Sequence, residues 1–230
     1  MLDVTGLPFF RAFPPAALTP LAAASRWERY GPGQTVLDAG SDAADVFLVA
    51  AGTLRVVTRT VGGEEIILND IGPGALFGEI AAIDGAKRSA GIVSLTQSAV
   101  CAIAARPFME YVLSSPEASL YVMRSLAALV REKDARLLEL CVLPARPRLI
   151  ALLLRLARPR EGGGLIVSPP RPHHELAARL GTRREMVSRL IAALQREGLV
   201  ERTRGGLVLP SPQALQAELD TAWTHPPRPA

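Results

Sequence analysis

The period of the apolar residues changes at Pro116, and the new period constrains the fold more than any other feature of the chain. Beyond this proline, apolar positions recur at alternating spacings of three and four residues, which is typical of a long helix with a narrow stripe. The stripe positions are Leu120, Met123, Ala127, Val130, Asp134, Leu137 and Cys141. A stripe this narrow suits a parallel pair of helices. The sequence therefore predicts a homodimer. Packing against the preceding domain would use the same stripe and is the alternative.

The residues before this helix indicate a different kind of structure. Between residues 30 and 105, short apolar runs alternate with turns that contain glycine, such as Gly62–Gly63. Many short strands at this spacing are typical of a small antiparallel barrel or jelly roll. The predicted strands include Thr35–Leu37, Val46–Val49, Leu54–Thr58 and Ile66–Leu68. The expected fold class is therefore α+β.

The uncharged run from Ser89 to Ala105 is nearly long enough to be a membrane helix. Its middle is polar, so we interpret the run as two strands around a turn. The polar residues are Ser94, Thr96, Gln97 and Ser98. We expect no contact with a membrane.

Two cysteines, Cys101 and Cys141, each lie between apolar neighbours. We predict that both are buried thiols in a reducing compartment. The apolar residues near the N-terminus are interrupted by prolines, which does not fit a signal peptide. A cytoplasmic protein is expected.

Charge is distributed unevenly along the chain. Residues 1–115 contain eight basic and eleven acidic side chains, a net charge of −3. Residues 116–230 contain eighteen basic and eleven acidic side chains, a net charge of +7. A basic second half indicates an anionic partner, for which nucleic acid is the leading candidate.

Prolines mark the start of this second domain. Pro144 and Pro147 are predicted to end the long helix. A further amphipathic helix is predicted near Arg148–Arg158, followed by a turn at Gly162–Gly164.

Residues 173–190 have the spacing of a helix-turn-helix. Small and apolar residues recur where two crossing helices would pack, and Gly181 permits the tight turn between them. The packing positions are Leu176, Ala177, Leu180, Val187 and Leu190. Thr182 is predicted to cap the second helix in a capping box with Glu185.

The remaining face of the second helix is polar and basic, with Arg183, Arg184, Ser188 and Arg189. Strands predicted at Leu199–Arg202 and Gly206–Leu209 would add a β-hairpin wing. We therefore predict that this region binds double-stranded DNA. An ordinary helical hairpin with a solvated charged face is the alternative.

The segment Phe77–Ala90 reads FGEIAAIDGAKRSA. It resembles the phosphate-binding cassette of cyclic-nucleotide-binding domains, in which Gly-Glu-(Leu/Ile) and a short helix precede Arg-(Ser/Thr)-Ala. A backbone that approaches a phosphate closely needs a glycine, and a helix N-terminus supplies N–H donors. An arginine can meet a cyclic phosphodiester with a forked pair of hydrogen bonds. A carboxylate such as Glu79 can accept from the ribose 2′-hydroxyl.

Cassette and helix-turn-helix together make the chain resemble the CRP/FNR family of bacterial transcription regulators, and within it the cyclic-AMP receptor proteins. The resemblance implies a jelly-roll effector domain over residues 1–113, a dimerisation helix over 114–143 and a winged helix-turn-helix domain over 144–230. It also implies control by cyclic AMP as an allosteric ligand, palindromic DNA sites similar to TGTGA, and contact with RNA polymerase.

The resemblance assigns ligand-binding roles to particular residues. Gly78 and Glu79 match the pair that contacts the ribose, and Arg88 and Ser89 match the pair that contacts the cyclic phosphate. The full set that it implies is Val56, Leu68, Gly78, Glu79, Ile80, Arg88, Ser89, Lys133 and Asp134.

At three places the chain departs from the family. Lys133 and Asp134 stand where cyclic-AMP receptors often have a threonine and a serine that meet adenine. Pro172 replaces the usual Ser/Thr cap of the first DNA-binding helix, and His173 stands where some members place a basic phosphate contact. The implied DNA-binding residues are His173, Thr182, Arg183, Arg184, Glu185, Ser188 and Arg189, with Arg184, Glu185 and Arg189 at base-reading positions.

The cofactors of other family branches are not expected. An iron–sulfur cluster needs an N-terminal cysteine cluster, whereas Cys101 is the first cysteine of this chain. The histidines, at 173, 174 and 225, lie outside the predicted barrel, so no axial haem ligand and no metal site are expected.

Two rival functions stay open at this stage. One is a family regulator that binds DNA without nucleotide, its cassette being a vestige. The other is a cyclic-nucleotide-responsive subunit of an enzyme or channel, for which the sequence has no kinase signature and no membrane span. No enzymatic activity is expected.

Overall fold

The computed structural model describes residues 8–11 and 21–225, which divide into two compact units between Leu129 and Val130. The first unit contains eight strands. They are β1 (Ser25–Tyr30), β2 (Thr35–Leu37), β3 (Val46–Ala51), β4 (Leu54–Arg59), β5 (Glu65–Ile71), β6 (Leu76–Phe77), β7 (Gly91–Ser94) and β8 (Ser98–Ile103). Two antiparallel sheets form from them, in the orders β1-β8-β3-β6 and β2-β7-β4-β5. This two-sheet sandwich confirms the predicted jelly-roll class and all four predicted strands.

The uncharged run from Ser89 to Ala105 supplies β7, β8 and the turn between them. The hydroxyl of Ser94 donates to Ser98 Oγ at 2.9 Å across this turn. Both residues are buried, and both hydroxyl groups also lie within hydrogen-bonding distance of the carbonyl oxygen of Thr96, so these polar groups have partners within the turn. The interpretation of this run as two strands around a polar turn is confirmed.

Strand β8 is buried along its whole length because it packs on two faces. Val100 and Ala102 point into the core between the two sheets, together with Phe47 of β3. Cys101 and Ile103 point to the opposite face, where helices cover the sheet. The alternation of a strand therefore divides the first unit into two apolar layers.

Helices α1 (Pro8–Arg11), α2 (Glu79–Asp84) and α3 (Ala105–Ser114) belong to this unit, and α4 (Pro116–Val142) belongs partly to it. Phe9 of α1 is fully buried, and its ring centroid lies 6.0 Å from Phe108 on α3 and 5.2 Å from Tyr121 on α4. These aromatic contacts join α1 to α3 and α4 and close the outer face of the first sheet.

Helix α4 has 27 residues and uses a different face from the predicted stripe to pack on the first unit. Ala118 and Val122 are its buried residues there. All seven stripe positions, by contrast, are exposed, and Leu120, Met123, Val130 and Leu137 are 42–59% exposed. Within the first unit, the alternative that the stripe packs against the preceding domain is therefore wrong.

The second unit contains the end of α4 and a small helical domain with a sheet. Its elements are α5 (Ala145–Leu156), β9 (Arg158–Pro159), β10 (Leu165–Val167), α6 (His173–Leu180), α7 (Arg184–Arg196), β11 (Glu201–Thr203), β12 (Gly206–Leu209) and α8 (Pro212–Thr224). The four strands form an antiparallel sheet in the order β11-β12-β10-β9. Its β11–β12 hairpin is the predicted wing, and the predicted turn at Gly162–Gly164 joins β9 to β10.

Two predictions about this part of the chain are wrong. Cys141 is exposed rather than buried, because it occupies the exposed stripe of α4. Pro147 does not end a helix but lies in the first turn of α5, where an α-helix makes no intrahelical N–H bond that proline would remove. Helix α5 therefore begins three residues earlier than the predicted Arg148.

Candidate effector site and nucleic-acid interface

The cassette forms a turn and a short helix between two strands of the sandwich. Strand β6 ends at Phe77, helix α2 begins at Glu79, and Gly78 between them has a φ of 83°. A Cβ on Gly78 would lie 2.7 Å from Arg88 Nη1 and 2.8 Å from the carbonyl oxygen of Asp45. Glycine is therefore required here both by the left-handed backbone and by the close approach of Arg88.

Main-chain atoms of four other residues form hydrogen bonds with Arg88. Its Nη1 donates to the carbonyl oxygen of Gly78 at 2.6 Å, and its Nη2 donates to that of Asp45. Its own N–H donates to the carbonyl oxygen of Ser41 at 3.0 Å, and its carbonyl oxygen accepts from the N–H of Gly40 at 2.8 Å. Side chain and backbone of Arg88 thus both have a defined position.

The Nε–H donor of this guanidinium is still available. The side chain is 5% exposed, and among the described residues no acceptor lies within hydrogen-bonding distance of its buried Nε. Burial lowers the pKa of Arg88, and the nearby carboxylates of Asp45 and Glu79 partly oppose this effect. Because a buried donor without an acceptor is costly, the arrangement suits an anion that accepts from this edge of the guanidinium.

Glu79, at the start of α2, is the second charged residue of the cassette and is 8% exposed. Burial raises its pKa, while a backbone hydrogen bond and the charge of Arg88 act in the opposite direction. A buried carboxyl group needs polar partners. Glu79 could therefore accept a hydrogen bond from a ligand hydroxyl.

The other cassette and pocket residues differ in their exposure. Ile80 and Ser89 are exposed, whereas Val56 and Leu68 are half-buried. Val56 packs against the core between the sheets. The pairing of β4 with β5 shifts after Val56, so Leu68 occupies an irregularity in the ladder. Two apolar strand residues are thus partly accessible in this sheet.

Lys133 and Asp134 lie on α4 in the second unit, and both are exposed. Asp134 occupies a position of the exposed stripe. The described side chains of the two residues form no ion pair with each other. Asp134 is therefore open to a partner that contacts the stripe.

The helix-turn-helix is present, but its turn differs from the prediction. Gly181, with a φ of 61°, ends α6, and both its N–H and that of Thr182 donate to the carbonyl oxygen of Ala177. Helix α7 begins at Arg184, so its N-cap is Arg183 and not Thr182. The capping box of Thr182 with Glu185 is therefore wrong, because the backbone that closes α6 displaces the start of α7 by one residue.

Helix α7 separates an apolar face from a basic one. Val187, Ile191 and Leu194 are buried in the core of the second unit. Leu190 is only partly buried, so Ile191 and Leu194 are the stronger anchors that the sequence analysis missed. The exposed residues at the start of the helix are Arg183, Arg184, Glu185 and Arg189. They form an exposed, mainly basic surface of the kind that enters a DNA groove.

His173 and Ser188, both predicted to contact DNA, also contact each other. His173 Nδ1 and Ser188 Oγ share a hydrogen bond of 2.8 Å that joins α6 to α7. Burial lowers the pKa of His173, and the charges of Arg202 and Arg184 lower it further. Two arginines therefore lie near enough to His173 to lower its pKa, Arg202 in the wing and Arg184 at the start of α7.

Three groups of residues at or beside the two candidate sites were not predicted from the sequence. Arg202 and Arg204 in the wing are exposed, and two arginines at a hairpin turn in a basic domain are a signal that could have identified them. Asp45 holds Arg88 through its backbone, which no side-chain motif reveals. Arg146 is the third.

Arg146 on α5 fastens the far end of α7. Its Nη1 donates to Glu197 Oε1 at 2.8 Å, and its Nε donates to Glu218 Oε1 of α8 at 2.6 Å. These hydrogen bonds raise the pKa of Arg146. The guanidinium thus joins three helices and positions the helix that presents the basic surface.

Comparison with known proteins gives two family models and several full-length relatives. A model of the cyclic nucleotide-binding domain matches residues 27–115, and a model of the Crp-like helix-turn-helix domain matches residues 147–218. The "Cyclic AMP receptor protein" of Thermus thermophilus is 33% identical over 195 residues, which cover 85% of this chain and 88% of that protein.

Solved structures with the same fold include two regulators. A CRP/FNR-family transcriptional regulator from Thermus thermophilus superposes with a TM-score of 0.70 at 24% identity and covers 85% of this chain and 98% of that chain. The c-di-GMP responsive global regulator CLP of Xanthomonas campestris superposes with a TM-score of 0.72 at 22% identity and covers 84% and 98%. At these identities the likeness concerns the fold alone.

Residues 8–11 and 21–225 lack two kinds of feature. They contain no group of three or more His, Cys, Asp or Glu side chains that could hold a metal ion. None of their helices combines the length and the apolar character that crossing a membrane requires.

Proposed function

The chain belongs to the CRP/FNR family of DNA-binding transcription regulators, and we propose that cyclic AMP is the effector that controls its binding to DNA. The family consists of regulators and not of enzymes. The observation that supports this effector best is the buried Arg88, whose Nε still needs an acceptor. The similarity to a protein named for cyclic AMP supports the same choice.

Each half of the ligand has a chemical counterpart in the cassette. The cyclic phosphodiester carries one negative charge, and the guanidinium of Arg88 can donate to it while its two carbonyl contacts persist, because arginine has five N–H donors. Glu79 can accept from the ribose 2′-hydroxyl. Val56 and Leu68 supply apolar surface. Ser89 supplies a hydroxyl group that can donate to the phosphate.

We further propose that the protein acts in the cytoplasm as a homodimer joined by the stripe of α4. Exposed apolar residues at an a/d spacing are unfavourable in water and are covered when two such helices pair. Two copies of α7 could then read the two halves of a palindrome. The β9–β10 turn would be free to contact RNA polymerase, the partner that the family resemblance implies.

Binding of the effector is tested by calorimetric titration with cyclic AMP, cyclic GMP and c-di-GMP. We expect binding of cyclic AMP and, in gel shifts on a library of palindromic sites, DNA binding that depends on it. A regulator with a similar fold responds to c-di-GMP, so preference for that nucleotide would replace cyclic AMP in the proposal. DNA binding unaffected by every nucleotide would mean that the carbonyl contacts of Arg88 are structural and the cassette is a vestige.

Asp134 is proposed to contribute to the choice of base. In a parallel dimer the two Asp134 carboxylates approach each other, and like charges in a partly desolvated seam repel. A hydrogen bond from the exocyclic amino group of adenine would relieve this repulsion, whereas guanine presents a carbonyl at that edge. Ligand binding would then stabilise the dimer in which the helices are aligned. An allosteric switch requires such a difference in the affinity of its two states for the ligand.

We expect Asp134→Ala to reduce the preference for cyclic AMP over cyclic GMP by about tenfold, the lower end of what the loss of one hydrogen bond to a charged group, roughly 1.5–3 kcal/mol, would produce. Titration of both nucleotides measures the preference, and analytical ultracentrifugation measures dimerisation. Arg131→Ala, which removes an exposed charge of the same helix outside the stripe, is the control. An unchanged preference together with a more stable dimer would show that Asp134 only sets the alignment of the helices.

A further inference from the structure

Asp45 connects the effector site to the outer strand of the first sheet. Its carbonyl oxygen accepts from Arg88 Nη2, and its carboxylate Oδ2 accepts from Arg26 Nη2 at 2.6 Å. The main chain and the side chain of one residue are therefore each held by a different arginine. Fixing the carboxylate also restricts the carbonyl group, because both are attached to the same Cα, the carbonyl carbon directly and the carboxylate carbon through Cβ.

The sheet places Arg26 within reach of Asp45. Strands β1 and β3 lie on opposite sides of β8, and Arg26 and Phe47 are both paired with Ala102 of that strand. Asp45 immediately precedes β3. The side chain of Arg26 thus extends past the end of β8 to the loop that enters β3.

Arg26 is itself held by its own strand. Its Nε donates to Glu28 Oε1 at 2.7 Å, and the hydroxyl of Tyr30 donates to Glu28 Oε2. Residues 26, 28 and 30 share one face of β1 because successive strand residues alternate. Burial raises the pKa of Tyr30 to about 12, so its hydroxyl stays a donor at neutral pH. The guanidinium of Arg26 is thus fixed from the strand side before it meets Asp45.

The loop before β3 has its other contacts at the cassette. Gly40 donates to the carbonyl oxygen of Arg88, and Ser41 accepts from its N–H. These bonds place the loop beside Arg88, and Asp45 is the loop residue that contacts the guanidinium itself. The ion pair of Asp45 with Arg26 therefore joins the position of Arg88 to the rigid sheet.

We propose that Arg26 is a positioning residue of the effector site, which acts through the carboxylate of Asp45 to fix the carbonyl oxygen that aims the guanidinium of Arg88. Arg26 would not touch the ligand. The inference rests on the proposed function for its effect on cyclic-AMP affinity, but its effect on Arg88 does not need the ligand.

The expected effect is modest, because the side chain of Arg26 is 55% exposed and that of Asp45 is 31% exposed. Ion pairs of this exposure are weak and are screened by salt. Arg26→Ala should therefore reduce cyclic-AMP affinity by about two- to fivefold, and the effect should diminish at high ionic strength.

Arg29→Ala is the matched control, since Arg29 is an exposed residue of the same strand and its loss changes the net charge equally. Arg29→Ala should leave the affinity unchanged, and Arg26→Lys should restore part of it. In an Arg88→Ala background, Arg26→Ala should have no further effect, because residues that act through one another are not additive. Equal losses in Arg26→Ala and Arg29→Ala, or full additivity with Arg88→Ala, would overturn the proposal.

A second measurement needs no ligand. In protein labelled with ¹⁵N-arginine, the Nε–H of Arg88 should exchange with water several-fold faster in Arg26→Ala than in the wild type, and at the wild-type rate in Arg29→Ala. Unchanged exchange in Arg26→Ala would overturn the positioning role even if affinity fell. Absence of cyclic-AMP binding in the wild type would refute the proposed effector, while the exchange rates would still decide the role of Arg26.

Discussion

Arg88→Ala is expected to weaken the binding of cyclic AMP by about a hundredfold in calorimetric titration. A hydrogen bond to a charged group contributes roughly 1.5–3 kcal/mol, and each ~1.4 kcal/mol corresponds to a tenfold change in affinity. The same change leaves the carbonyl oxygens of Gly78 and Asp45 without their donor, so the melting temperature should fall as well. The 5% exposure of Arg88 shows that it belongs to the interior, so its removal should affect folding as well as binding.

Two variants separate ligand binding from folding in this experiment. Lys87→Ala removes the same charge from the neighbouring position, whose side chain is 68% exposed, and should leave both affinity and melting temperature near the wild-type values. Arg88→Lys keeps the charge but lacks the fork of donors, so its affinity should be intermediate. Wild-type affinity in a folded Arg88→Ala protein would show that the ligand does not bind at this arginine.

Substitutions on the exposed surface of α7 are expected to have the second largest effects. These effects are measured as changes in the affinity for DNA. Selection from a random library should give a palindrome similar to TGTGA in each half, with half-sites about 34 Å apart. Arg184→Ala or Arg189→Ala should cost roughly 1–3 kcal/mol on that site through loss of a guanine contact, with little change on unrelated DNA. Glu185→Ala should relax the preference at one base pair, where the carboxylate accepts from a cytosine amino group.

A phosphate contact would have a different signature from a base contact. Arg183→Ala should weaken binding to all sequences alike and reduce its dependence on salt. Arg196→Ala, at the other end of the same helix, is the control and should behave as the wild type. A selected site without two-fold symmetry, or equal losses for Arg184→Ala and Arg196→Ala, would contradict this assignment.

Patterns local in the sequence predicted most of the fold. The stripe of α4, the strands of the sandwich and the two helices of the helix-turn-helix follow from periodicity and turn residues, because these express which face of an element is apolar. The sequence did not show which neighbour the α4 stripe faces. The same spacing suits a neighbouring helix or a neighbouring sheet, and only the burial of Ala118 and Val122 shows that another face packs on the first unit.

Boundaries and caps were predicted less well, because neighbouring elements compete for the same backbone groups. Thr182 has the right side chain for an N-cap, but the closure of α6 by Gly181 uses its N–H. Pro147 has the residue type that ends helices, but in the first turn of α5 it is tolerated. Residue type alone does not say which of two adjacent helices a position belongs to.

The sequence by itself thus determined the two kinds of domain, the cassette and the basic helix, since each depends on residue types at short, regular spacings. Only the tertiary structure decided which atoms surround those residues. Arg88 is held by carbonyl groups 10 and 43 positions away in the chain, and Arg146 by carboxylates 51 and 72 positions away. Contacts between such distant residues are made by the packing of sheets and helices, and backbone carbonyl groups are common to every residue type, so no local pattern of side chains could specify them.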